Sequence, residues 1–161
     1  MPSSVRTIAG LSGACLVWGT DQAVKFFLRD AHDGIVWQNG PLKIWHSFNP
    51  SIAFSLPLPT LLIVLAIVAA LIFVTWMYLR LLPHRVATAI ALGLVWGGSL
   101  SNVYDRVRYG SVIDYFQVSI SPIINIADLG IALGLAYFFI VFLKKEKQKN
   151  VIQHTRTSQP S

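Results

Sequence analysis

The sequence predicts a small α-helical membrane protein, with four transmembrane helices and a small β-structure on the outer membrane face. Three observations predict it. Four apolar stretches are each about as long as a bilayer core is thick, basic residues gather at their ends on one side, and the aspartates gather on the other. Of the 161 residues 54% are hydrophobic and 12% charged, where soluble domains carry about 25% charged residues, and mean hydropathy is +0.58. The length suits one compact domain whose solvent is largely lipid. A net charge of +6 invites a nucleic-acid reading, but eight of the thirteen basic residues (Arg6, Arg80, Arg85, Lys144, Lys145, Lys147, Lys149 and Arg156) flank the ends of apolar segments. That is a topology signal, so nucleic acid is rejected as a partner. The single Cys15 excludes a disulfide framework or a thiolate zinc site.

A helix needs about 20 apolar residues to cross, and the stretches are Thr7 to Leu28, Pro57 to Leu79, Val86 to Tyr104 and Ile123 to Leu143. The first could be mistaken for a cleaved signal peptide. It shows no convincing Ala-x-Ala site, and its apolar run exceeds the usual length of such segments. Cys15, in "LSGAC", only faintly resembles a lipidation box, because Ser12 stands where an aliphatic residue belongs; it reads as a small packing residue. The second span is apolar all round and is expected to face lipid most. In the third and fourth, Gly93 with Gly97 and Gly130 with Gly134 have the spacing that lets membrane helices approach closely.

The excess of Lys and Arg at Arg6, in "RLLPHR" and in "KKEKQK" places both termini in the cytoplasm. Residues 1–143 read as one membrane-embedded domain, and 144–161, polar and without periodicity, as a disordered cytoplasmic tail. On the outer side, Ile35 to Trp37 and Leu42 to Trp45 flank Asn39-Gly40, a hairpin signal. "SVIDYFQVSI" alternates, putting Val112, Asp114, Phe116 and Val118 on one face of an extended segment. Pro122 suits the first turn of the fourth helix.

All six aspartates fall on the outer side or in the outer half of a span. Asp30 and Asp33 read as solvated loop charges. Asp21 lies inside the first span, where a carboxylate costs a few kcal/mol or more unless paired. Lys25, four residues on along the same face, is its expected structural partner, and Gln22 could serve the same polar interface. Asp105 is read at the end of the third helix beside Arg106 and Arg108, where a cap and a part in chemistry both remain open. Asp128 is placed about five residues into the fourth helix, roughly 8 Å along its axis, with Asn125 on the same face and no Lys or Arg at helical spacing. An intramembrane acid of that kind is a functional candidate by default. Asp114 breaks an apolar face, and such local failures tend to fall at functional sites. The two acids that lack partners are expected to pair. Two carboxylates sharing a site cannot both ionise cheaply, so one keeps a proton and the other acts as base, an arrangement suited to activating water against an amide.

Competing chemistries lack their residues. There is no His-Glu-x-x-His zinc motif, and no metal is expected. "WGGSLS" misses the second glycine of a Gly-x-Ser-Gly membrane serine protease motif at Leu100, and no histidine lies within a span to act as base. An ion-coupled carrier would show internal repeats and acids in both halves, whereas the second and third spans hold no interior acid. A non-catalytic assembly subunit would leave Asp114 and Asp128 unexplained.

Taken together, "DQAVK" (Asp21 to Lys25), "NPSIAF" (Asn49 to Phe54), "GGSLSNVYDRVRYGSVIDYF" and "NIAD" (Asn125 to Asp128) resemble the motifs of the lipoprotein signal peptidases, or signal peptidase II. The long block is the specific one. The resemblance implies a catalytic dyad at Asp114 and Asp128. It implies that Asn49, Asn102, Asp105, Arg106 and Asn125 line or brace the site, and that Asp21 and Lys25 support it. It further implies cleavage of prolipoproteins just before a diacylglyceryl-modified cysteine, by a metal- and cofactor-free aspartyl mechanism, in the bacterial plasma (inner) membrane. Inhibition by globomycin-type cyclic peptides follows from the same resemblance. A monomer is expected, since four helices can enclose one site. Ser51 and Ser101 stand where the family has glycine, and Ile124 where it has Phe. The added bulk of the two serines is expected to touch substrate preference and efficiency more than the reaction.

Overall fold

The computed structural model describes residues 2–29, 34–50 and 58–157, the last seven by their backbone alone. Asp30, Asp33 and residues 51–57 lie outside that set. The order of elements is α1 (Ser3–Leu28), β1 (Gly34–Asn39), β2 (Leu42–Asn49), α2 (Thr60–Arg80), α3 (Val86–Tyr109), β3 (Val112–Val118) and α4 (Ile126–Thr157). Among the described residues three helices, α2, α3 and α4 as far as Asn150, are both long and apolar enough to cross a membrane. The 26 residues of α1 would reach about 39 Å, but Thr20, Asp21, Gln22 and Lys25 make its far end polar.

Helix α3 is the centre, packed against α1, α2 and α4, because its small residues let neighbours in. A Cβ on Gly93 or Gly97 would collide with the backbone carbonyls of Gly10 and Ala14 in α1, and one on Gly98 with that of Ala127 in α4. Gly130 abuts Val17, and Gly134 abuts the Ala91 carbonyl, so both glycine pairs serve close approach as their spacing predicts. Helix α2 buries only Ile63, Leu71 and Val74, which fits its uniform apolarity. At the end near the α2–α3 turn, Leu71, Val74, Leu82, Ala91, Val95 and Phe138 form the apolar core.

At the other end lies a three-stranded antiparallel sheet in the order β1-β2-β3. Asn39 faces Leu42 across a two-residue loop, whose first position Gly40 has φ 57°, a conformation the tight hairpin requires and glycine supplies. Strand β3 is buried on both faces over its first four residues: beside Val112 and Asp114, Ile113 and Tyr115 point inward too.

Three helix boundaries differ from expectation for a physical reason. Helix α3 runs five residues past Tyr104 to Tyr109 and stops at Gly110, whose φ of 73° ends it in the left-handed region. Asp105 therefore sits inside the helix rather than at its end. Helix α4 starts at Ile126, not Ile123, because Ile124 is held extended: Phe116 N–H donates to its carbonyl at 2.8 Å and its own N–H donates back at 2.9 Å. Pro122 thus precedes the helix, and Asp128 is its third residue instead of lying a turn deeper. Finally, α4 continues through the charged stretch to Thr157, where a disordered tail from Lys144 is expected. Lys, Glu and Gln are good helix formers, and extending an existing helix needs no new nucleus.

Candidate active site

Between α1 and α3 stands a fully buried cation with two anions. Lys25 Nζ lies 2.6 Å from Asp21 Oδ2 and 2.7 Å from Asp105 Oδ2, and none of the three side chains is more than 2% exposed. Burying such charges is tolerable only when the remaining lone pairs are also satisfied, and here they are. Gln22 donates to Asp105 Oδ1 at 2.9 Å, the Ile113 N–H to Asp105 Oδ2 at 3.3 Å, and Ser101 Oγ to Asp21 Oδ2 at 2.7 Å. Asp21 and Lys25 pair as the i, i+4 spacing predicts. Asp105 finds its short ion pair on α1 rather than with its own neighbours Arg106 and Arg108.

The other oxygen of Asp21 helps to begin α4. A helix start leaves its first N–H groups without intrahelical acceptors, and side chains from α1, β3 and the residue just before α4 take them. The Ile126 N–H donates to Tyr115 Oη at 3.0 Å, and the Ala127 N–H to Asp21 Oδ1 at 3.1 Å. Tyr115 Oη itself donates to Asp21 Oδ1 at 2.9 Å. The Asp128 N–H donates to Asn125 Oδ1 at 2.8 Å, while the Asn125 N–H returns a bond to Asp128 Oδ2 at 3.3 Å. This reciprocal pairing of cap and third residue is a capping box with Asn and Asp in its two roles, and the helix dipole favours a carboxylate there.

Asn125 also joins the two acids singled out in the sequence. Its Nδ2 donates to Asp114 Oδ1 at 2.7 Å, and Asn49 donates to Asp114 Oδ2 at 2.8 Å. Asn102 donates to Asp128 Oδ1 at 2.8 Å, and its own oxygen accepts from Asn125 at 3.2 Å and from Lys25 at 3.3 Å. Arg106 Nη1 donates to the Asn102 carbonyl at 3.3 Å, and its charge acts on Asp114, Asp128 and Asp105 together. Asp114 is buried and Asp128 only half-buried, so the pair is reached from the Asp128 side. Burial above all, with the Asp128 charge adding to it, pushes the Asp114 carboxyl up to about 6, against the opposing bonds from Asn49 and Asn125. Burial, and then the Asp21 charge, hold the Tyr115 phenol above its ordinary range. Such a pair can hold one proton and one negative charge near neutrality.

All nine residues predicted for the site join this one hydrogen-bonded cluster. Sequence reasoning missed two members. Tyr115 was hidden because it lies on the opposite strand face from Asp114, yet its hydroxyl is what bonds Asp21. Ser101 was read as added bulk. Fully buried, it donates to Asp21 and accepts from Gln22 at 2.8 Å, so its hydroxyl is built into the network. Among the described residues no three His, Cys, Asp or Glu side chains gather as a metal-binding group.

Known proteins resemble the chain in sequence and in fold. A family model described as signal peptidase (SPase) II matches residues 13–144. The lipoprotein signal peptidase of Aquifex aeolicus is 35% identical over 126 residues, covering 71% of this chain and 74% of that one. That of Geobacter sulfurreducens is 32% identical over 142 residues, covering 80% and 88%. A bacterial membrane enzyme solved by the in meso method at 2.3 Å superposes with a TM-score of 0.77 at 24% identity, over 87% of this chain and 90% of that one, which shows a shared fold.

Proposed function

The chain belongs to the signal peptidase II family, and from that premise we propose that it removes the signal peptide of diacylglyceryl-modified prolipoproteins with Asp114 and Asp128 as its catalytic pair. The ionised member takes a proton from water, and the water oxygen attacks the carbonyl carbon preceding the lipidated cysteine. The protonated member gives its proton to the reacting group. Collapse of the tetrahedral intermediate breaks the C–N bond and releases the cysteine amine. Asn102 and Asn125 hold the carboxylates in place, Asn49 braces Asp114 from β2, and Arg106 supplies positive charge beside developing negative charge. Asp21, Lys25 and Asp105 lock α1, α3 and the start of α4 together.

In this reading α1 is the fourth membrane span, its polar end shielded by α3 and β3. Both termini are cytoplasmic, and the sheet lies on the outer face of the bacterial plasma membrane, at the level where a lipidated cysteine emerges. The working unit is a monomer, and globomycin-type peptides compete for the acid pair. The observation that carries the proposal is Asn125, one side chain bonded to Asp114 and reciprocally capped with Asp128. Asp114→Asn and Asp128→Asn should each lower single-turnover cleavage of a lipidated prolipoprotein by about 10²–10⁴-fold, with substrate still bound. The double variant should be scarcely worse, because the pair acts as a unit. Near-normal cleavage by either folded single variant removes the assignment.

A further inference from the structure

A cavity lies at the opposite end of the bundle from the aspartates. Helices α1 and α2 each pack on α3, and between their turn-side ends lies a groove of about 490 Å³, within the roughly 300–1,000 Å³ typical of small-molecule clefts. Gly10, Leu11, Leu92 and Trp96 line its apolar length, and Arg6 and His84 stand at its polar end. Arg6 Nη1 donates to the His84 carbonyl at 3.2 Å, so the guanidinium is held at the mouth. Leu11 is 61% exposed, and the groove opens sideways, toward lipid. Arg6 precedes Asp21 by fifteen residues of the same helix, about 22 Å, so an occupant here is remote from the chemistry.

From this we infer that the groove holds one anionic glycerophospholipid, an acyl chain lying along Leu11, Leu92 and Trp96 with its phosphate at Arg6. Charge complementarity selects that occupant. Besides Arg6, this end of the bundle carries Arg80, Arg85 and Lys145, and basic pockets between membrane helices suit anionic head groups. The positively charged start of a signal peptide would be repelled there. Arg guanidinium pairs with phosphate oxygens through two parallel bonds, and His84 stands exposed beside it. The inference does not depend on the catalytic assignment.

The test uses the full chain in phosphatidylcholine nanodiscs doped with phosphatidylglycerol, reading retained lipid by native mass spectrometry and thermal stability alongside. One phosphatidylglycerol should be retained per chain and should raise the unfolding temperature. Arg6→Gln should weaken its retention about fivefold, as for one basic side chain at a membrane surface. Arg80→Gln, at the same end but outside the groove, should weaken it less. Leu11→Trp, which obstructs the groove, should lower retention without altering prolipoprotein cleavage. Equal retention of the two lipids, or equal losses in Arg6→Gln and Arg80→Gln, would overturn the inference. So would a Leu11→Trp variant that keeps its lipid but shows a raised KM for prolipoprotein, which would make the groove a signal-peptide track.

Discussion

At the turn end of the bundle, Leu71, Val74, Ala91, Val95 and Phe138 pack side chain to side chain, and Gly93 sits against the Gly10 backbone with no polar side chain between. At the sheet end the same central helix meets its neighbours through Ser101, Asn102 and Asp105, each held by directed bonds of 2.7–3.3 Å. The first kind of contact is non-directional and tolerant of small shifts. The second fails unless every donor and acceptor is met. The contrast teaches where positional accuracy is concentrated: the apolar end holds the helices together, and the polar end fixes where carboxylates point.

Lys25→Met should break the comparison most severely. It leaves Asp21 and Asp105 buried without their cation, a change that costs about 3–5 kcal/mol. Its unfolding temperature in detergent should fall furthest of all the variants, and adding Asp105→Asn should recover part of the loss. A variant as stable as the parent would mean that the polar end is not held by charge. Gly97→Ala probes the apolar end. Its methyl must displace the Ala14 backbone, and overpacking costs about 1–3 kcal/mol, read in the same melts, while cleavage per folded molecule stays close to normal. If cleavage falls more than stability does, the two ends are not separable.

Ser101→Ala is of similar size to Gly97→Ala. It removes one buried donor from Asp21 and should cost about 1–3 kcal/mol, less than Lys25→Met in the same melts. A loss as large as that of Lys25→Met would make Ser101 the keystone instead.

The finest distinction is in pH. Asp114 keeps its proton up to about 6, whereas an unfolded Asp releases it near 3.9. The native state therefore binds the extra proton between about 4 and 6, so this group makes stability fall as pH rises through that window. Asp114→Asn should flatten that slope, measured as unfolding temperature against pH. A pair that needs one proton should likewise lose kcat/KM as pH rises through about 6. The bond from Asn49 favours the ionised form, so Asn49→Ala should move that limb to higher pH. A limb that stays, or moves lower, would detach it from Asp114.

Much of this was legible in the chain. Apolar run lengths locate α2 and the body of α3, Asn39-Gly40 marks the hairpin, and glycine spacing marks the close contacts. What misled was tertiary. Pro122 is a sound helix-start signal, but the Ile124–Phe116 pairing keeps the chain extended past it. Arg106 and Arg108 beside it mark Asp105 as the end of a helix, but its cation lies 80 positions away on α1. The acid pair stood out as two charges without local partners, yet its geometry rests on Asn125, whose several bonds no spacing rule announces.

The start of α4 carries a consequence for how the protein is made. Asp21, Lys25 and Asp105 come from α1 and α3 and can neutralise one another as soon as those helices meet. Asp128 comes from α4, and Asn125, which ties it to Asp114, caps that helix; both are synthesised after α1 and α3. Until α4 docks on Tyr115 and Asp21, one carboxylate of the pair is absent and the other lacks one of its two amide donors. On the proposed mechanism, hydrolysis has to wait for α4 to dock.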